Sequence, residues 1–242
     1  MKENFVIGII GGMGSYATVD FFRRIVEAFP AEKEWERPRI LIDNFCTMPS
    51  RVRAILYNEK RDELIKDLSG SIINMKRAGV SKIILACNTS HVFLPEIEKK
   101  VPDCKGMFVH IINTLAAEMQ LQRMKKSYLL ASEGTIESGI YKDCFSQTGI
   151  TLSVPSIEHY SLLREWIEAV KQNSIDSACL EKFKMFVDGC ASESLILGCT
   201  ELPILYKKAL QTGWKAKVKV FDPLQSVIEV LKKEYYEHKN KV

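Results

Sequence analysis

Short, uninterrupted apolar runs alternate with segments of helical periodicity along the whole chain, and this alternation restricts the fold more than any other feature. Residues 6–10, Val6-Ile7-Gly8-Ile9-Ile10, read as a strand buried on both faces. A helix is predicted over 17–29, where Val19, Phe22, Ile25, Val26 and Phe29 recur at near-helical spacing. A strand at 39–42, a helix over 60–78 stopped by Gly79, and a strand at 82–86 come next. The pattern restarts after 102–106, with strands predicted at 108–112, 128–131, 152–154, 195–197 and 218–221, and helices between and after them. Such alternation implies parallel sheets with helices on both faces. The fold class expected is α/β, as two pseudo-symmetric domains with the active site in the cleft between them. The first domain would take residues 1–102 plus 212–242, and the second residues 103–211.

Two of the apolar runs end in cysteine, one in each half. They are Lys82-Ile83-Ile84-Leu85-Ala86-Cys87 and Ser194-Leu195-Ile196-Leu197-Gly198-Cys199. In open parallel sheets, ligands collect at the carboxyl ends of strands. Both cysteines fall there, as do Gly11 to Gly14, Arg51 and Thr135. A free cysteine is often simply a small buried apolar residue, and four of the other five cysteines fit that description. Cys87 and Cys199 are set apart by the residues on their C-terminal side. Asn88-Thr89-Ser90 and Thr200-Glu201 can each begin a helix, and a thiol at a helix N-terminus is expected to have a lowered pKa. Two such thiols at matched positions can face each other across a cleft, one removing a proton from a carbon and the other returning it on the opposite face.

Composition narrows the setting. The seven cysteines are scattered and odd in number, which suits reduced thiols in the cytoplasm rather than a disulfide framework. The net charge of +4 is mild and spread out, so no nucleic-acid partner is implied. No apolar run approaches the roughly 18–20 residues that span a bilayer, and the first apolar run reads as a strand rather than a signal peptide. The glycines Gly8, Gly11, Gly12 and Gly14 depart from G-x-G-x-x-G, and Asp43 lies further on than a ribose-binding acid usually does. A tight turn that brings backbone N–H groups to a small carboxylate fits them better. Cys87-x-x-x-His91 supplies too few ligands for zinc, and no second cluster completes the set. Arg51, in the loop Met48-Pro49-Ser50-Arg51, offers a guanidinium that can grip a carboxylate through two hydrogen bonds.

Together these segments resemble the aspartate/glutamate racemase family, most closely its aspartate racemase branch. The likeness is carried by Gly8-Ile9-Ile10-Gly11-Gly12-Met13-Gly14 and Met48-Pro49-Ser50-Arg51. It continues in Cys87-Asn88-Thr89-Ser90-His91, Ser132-Glu133-Gly134-Thr135 and Gly198-Cys199-Thr200-Glu201. The resemblance implies racemisation of an acidic amino acid with no cofactor, commonly in a homodimer. By position it makes Cys87 and Cys199 the acid/base thiols. Asn88, Thr89 and Thr200 would bind the α-carboxylate, Ser90 would belong to the substrate-binding set with them, Arg51 would hold the side-chain carboxylate, and Met13 and Thr135 would line the pocket. Three positions depart from the family pattern. Val52 stands where threonine is usual, Cys46 where proline is common, and Ser161, with Arg164 nearby, where a lysine is often found.

Overall fold

The computed structural model describes residues 5–241. The first half comprises β1 (Val6–Gly11), α1 (Ser15–Ala28), β2 (Arg39–Asn44), α2 (Arg51–Leu56), α3 (Arg61–Arg77), β3 (Lys82–Leu85) and α4 (Leu94–Lys100). After α5 (Ile111–Leu121) come β4 (Lys126–Leu130), α6 (Glu133–Glu137), α7 (Ile140–Phe145) and β5 (Thr151–Ser153). The chain closes with α8 (Tyr160–Lys171), α9 (Ser177–Asp188), β6 (Ser194–Leu197), α10 (Leu202–Gln211), β7 (Lys219–Phe221) and α11 (Pro223–Lys241).

All strand pairs are parallel, in two sheets ordered β2-β1-β3 and β5-β4-β6-β7. Every residue of β1 and of β6 is buried, as their unbroken apolar runs require of strands covered on both faces. The α/β architecture with two related halves is therefore the one expected.

Two local expectations need correction. The apolar stretch 108–112 is not a strand that opens the second half. Phe108 forms a single parallel bridge to Ile83 of β3, and Val109 N–H donates to the Ile83 carbonyl. His110 then accepts from Asn113 N–H and starts α5. Apolar character alone does not separate a buried helix start from a strand. With that bridge the first sheet reads β2-β1-β3-Phe108, the same order as β5-β4-β6-β7.

The second correction concerns residues 219–221, expected to sit with the first half. They form β7, and β7 pairs with β6 in the second sheet. The next helix, α11, packs on α5 and α1 and so ties the halves together. One core cluster runs through both, from Ile7, Ile9 and Phe21 to Ile196, Phe221 and Leu231.

Candidate active site

A cleft of about 370 Å³ opens at the carboxyl ends of the strands, between the two halves. Cys87 lies two residues beyond β3 and Cys199 two beyond β6, and both line it. Met13, Arg51, Asn88, Thr89 and Thr200 line it as well. Ser90 and Thr135 are completely or almost completely buried and stand behind this wall. Ser90 Oγ donates to Met13 Sδ at 2.9 Å, so it backs the residue that faces the cleft. Thr135 Oγ1 lies 2.7 Å from Thr89 Oγ1, and Ser132 Oγ is within 3.2 Å of both. This triangle of hydroxyls joins the Cys87 turn to the start of α6 across the boundary between the halves.

Tight turns bring these side chains together. Gly12 has φ +78°, and a Cβ there would fall 2.5 Å from the backbone of Phe45 and Cys46. Only glycine satisfies both the left-handed conformation and that close approach. The turn after β1 can thus lie against the loop leading to α2. Ser50 caps α2 by accepting from Arg53 N–H, which sets Arg51 at the first helical position. Arg51 donates to the carbonyls of Met13 and Pro49, each at 3.0 Å. Among the described residues, the cations that line the cleft are Arg51, Arg53, Arg164 and Lys171. Arg53 is paired with Glu59, Arg164 with Glu133 and Lys171 with Glu168. Among the described residues, Arg51 has no carboxylate partner.

Around Cys87 the polar groups are held from behind. Tyr141 Oη donates to Asn88 Oδ1 at 2.7 Å, leaving Asn88 Nδ2 buried without a partner. His91 is buried, with Nδ1 2.9 Å from the Cys87 carbonyl and Nε2 accepting from Ile111 N–H at 3.3 Å. The Ile111 donor assigns the ring proton to Nδ1. Burial first, and the neighbouring His110 ring second, push the His91 pKa down to about 3. His91 is thus a neutral fastener between the Cys87 turn and α5.

Cys199 overturns the expectation of a lowered thiol pKa. Its Sγ donates to Glu201 Oε2 at 2.9 Å. Burial, together with the Glu201 carboxylate, raises its pKa well above the ordinary thiol value. A thiol that donates to a carboxylate is stabilised in its protonated form, and this outweighs the helix terminus. Glu201 was read in the sequence only as part of a helix start. Its place in the site comes from the turn after β6, which folds its side chain back to the thiol. Lys171 was missed as well. Ser161, which stands where the family often has a lysine, is exposed, and the α8 lysine that reaches the cleft is Lys171, at the end of the helix. The residues of α8 that line the cleft, Tyr160, Leu163, Arg164, Ile167, Glu168 and Lys171, recur every three or four positions, which was the available signal.

All seven cysteines are free, with Cys104 and Cys179 buried, Cys144 and Cys190 half-buried and Cys46 exposed. Among the described residues, no group of three or more His, Cys, Asp or Glu side chains is placed to hold a metal ion. No helix among them is long and apolar enough to cross a membrane.

The sequence profile of the Asp/Glu/Hydantoin racemase family matches residues 10–231. The chain belongs to this family. Membership makes it a racemase, hence an isomerase, in line with the expected amino-acid racemase. It is 28% identical over 177 residues to the broad specificity amino-acid racemase RacX of Bacillus subtilis (strain 168), covering 69% of this chain and 71% of that protein. The fold is that of the Picrophilus torridus aspartate racemase, at a TM-score of 0.82, 24% identity and 98% coverage of both chains. A glutamate racemase from Francisella tularensis subsp. tularensis SCHU S4, solved with D-glutamate, superposes with a TM-score of 0.68 at 16% identity. That match covers 99% of this chain and 83% of the other.

Proposed function

We propose that this protein racemises the α-carbon of an acidic amino acid, aspartate foremost, by two-base proton transfer at that carbon, with Cys87 and Cys199 as the bases and without a cofactor. The observation that carries the reading is the meeting of the two thiols in one cleft, each at the end of an equivalent strand in a different sheet, beside Arg51. One thiol, as thiolate, takes the α-proton, and the other, as thiol, protonates the opposite face. The protonated Cys199 held by Glu201 is the natural proton donor of one half-reaction, with Cys87 as the base. The reverse direction exchanges the roles. Because the site needs its two thiols in different protonation states, the rate should show a bell-shaped pH profile.

An amino-acid α-proton is far less acidic than a thiol, so the carbanion must be stabilised where its charge spreads, on the carboxylate. Asn88 Nδ2, Thr89 and the N–H groups of the turns after β3 and β6, that of Thr200 among them, are the donors we assign to that carboxylate. Placed in a largely desolvated cleft, such donors act most strongly on developing charge. Arg51, free of any carboxylate partner, is assigned to the side-chain carboxylate. The protein is further proposed to act in the cytoplasm, as its scattered, odd-numbered cysteines suggest, and as a homodimer, as the family resemblance implies; sedimentation velocity tests the dimer.

A second reading is a broader amino-acid racemase. Leu56, Tyr57, Leu163 and Ile167 give the cleft an apolar wall with room for side chains larger than that of aspartate. One experiment covers both readings. The protein is incubated in D₂O with single enantiomers of aspartate, glutamate and a panel of neutral and basic amino acids, without added cofactor, and α-deuteration is followed by NMR. Exchange confined to aspartate and glutamate supports the first reading, and exchange across the panel supports the second. Cys87→Ser and Cys199→Ser should each lower racemisation by roughly 10²–10⁴-fold. Wild-type rates in either variant would sink the two-thiol mechanism.

A further inference from the structure

Three buried side-chain atoms on residues that line the cleft have no hydrogen-bond partner: Arg51 Nε, Asn88 Nδ2 and Glu201 Oε1. Two are donors and one is a carboxylate acceptor. Buried polar groups are as a rule satisfied, so three orphans around one cleft describe its ligand. That ligand must offer two acceptor groups and one donor, most favourably a cation. An acidic amino acid has this set: two carboxylates and one ammonium. On the proposed racemase reading, Arg51 and Asn88 take the carboxylates, which leaves the ammonium for the third atom. We infer that Glu201 Oε1 binds the substrate's α-ammonium group, and that the cleft thereby selects an amine-bearing acid over a simple dicarboxylate.

The geometry of Glu201 supports a divided role. Its Oε2 already accepts from Cys199 Sγ at 2.9 Å and from Thr200 Oγ1 at 3.3 Å. With that oxygen held, the plane of the carboxylate is set and Oε1 turns toward Gly14. A Cβ on Gly14 would stand 2.5 Å from Oε1, so the absence of a side chain there makes room for the oxygen. Among the described cations that line the cleft, Lys171 acts on Glu201 through its charge but makes its ion pair with Glu168, at 2.8 Å, so Oε1 keeps no hydrogen bond to it. One carboxylate therefore touches the thiol that exchanges the α-proton and the amine on the same α-carbon. This would register the α-carbon against Cys199.

The test is binding, measured by isothermal titration calorimetry on the full chain with L-aspartate, D-aspartate, malate and succinate. Malate and succinate keep both carboxylates and lack the amine. Wild-type protein should bind aspartate at least tenfold more tightly than malate or succinate. Glu201→Gln keeps the shape and removes the charge, and it should weaken aspartate binding at least tenfold while malate binding holds or tightens. Equal losses for aspartate and malate would mean that Glu201 serves only the fold or Lys171, and would overturn the inference. So would unchanged aspartate affinity in the variant, or equal wild-type affinity for aspartate and malate, a comparison that does not depend on the variant folding. Wild-type protein that binds the dicarboxylates but no amino acid, with no α-deuteration, instead overturns the racemase reading on which the inference rests.

Discussion

The hydroxyl of Tyr141, in α7, donates to Oδ1 of Asn88, the residue after the first cysteine of the cleft, at 2.7 Å. The bond crosses from one half of the molecule to the other. It decides which end of the Asn88 amide is left over, and what is left over is a donor. On the proposed reading a substrate carboxylate would meet Nδ2, because Oδ1 is already occupied from behind.

Tyr141→Phe removes that restraint and leaves a buried acceptor unsatisfied. The expected loss of stability is about 1–3 kcal/mol, read from chemical denaturation. Because Asn88 becomes free to turn its oxygen toward the substrate carboxylate, the KM for the acidic amino acid should rise as well. A variant that loses stability and keeps its KM would show that Tyr141 does not orient the amide.

Arg51 is the cleft cation with no carboxylate partner among the described residues. Arg51→Lys keeps the charge but loses the planar fork that holds a carboxylate by two bonds. The expected cost is about 1.5–3 kcal/mol, or roughly 10- to 150-fold in kcat/KM for aspartate. Neutral amino acids, if they are turned over, should be affected less. Equal losses on both classes would remove Arg51 from side-chain recognition.

Gly134 is where α6 meets α2. A Cβ at this position would lie 3.0 Å from Val52 Cα and 3.3 Å from its Cγ2. Gly134→Ala must therefore push α2, and Arg51 with it, outward by a few tenths of an ångström. Overpacking of this kind costs about 1–3 kcal/mol, partly offset by about 1 kcal/mol of helix propensity gained. A fall of a few degrees in Tm is expected, together with a raised KM. An unchanged KM would show that the α2–α6 contact does not position Arg51.

Acid should destabilise the protein through the histidine pair. The His91 pKa is pushed down to about 3 by burial, and that of His110 to about 4, also by burial. In the unfolded chain both take a proton near pH 6.5. Their neutral forms thus contribute stability that is complete above about pH 6.5 and is lost as the pH falls toward 3–4. The slope approaches about 1.4 kcal/mol per pH unit for each ring. A plot of Tm against pH should fall across this window, and His91→Gln should flatten it. A variant with the wild-type slope would contradict this account.

β1, β3 and β6 were legible in the sequence because each is a short, largely buried apolar run. Cys87 and Cys199 could be placed at once, since a residue just past a parallel strand faces the ligand end of its sheet. Arg51 could be read from its loop. The segment around Phe108 could not, because an apolar run of that length suits a bridge, a strand or a helix start equally well. Ser90 and Thr135 could be placed near the site but not in depth, and the structure sets both behind the wall.

The sequence by itself thus determined the α/β class, the matched thiols and the racemase family, all of which rest on local pattern and on residue identity. Only the tertiary structure decided the protonation preference of Cys199, the orientation of Asn88 and the placing of Glu201 and Lys171 at the cleft. The reason is physical. A thiol at a helix start has a low pKa only if nothing else governs it. Burial beside Glu201, set by the turn after β6, reverses that tendency. Likewise, Tyr141 stands 53 residues from Asn88 in the chain, and α7 meets the Cys87 turn only once both sheets are packed on their shared core.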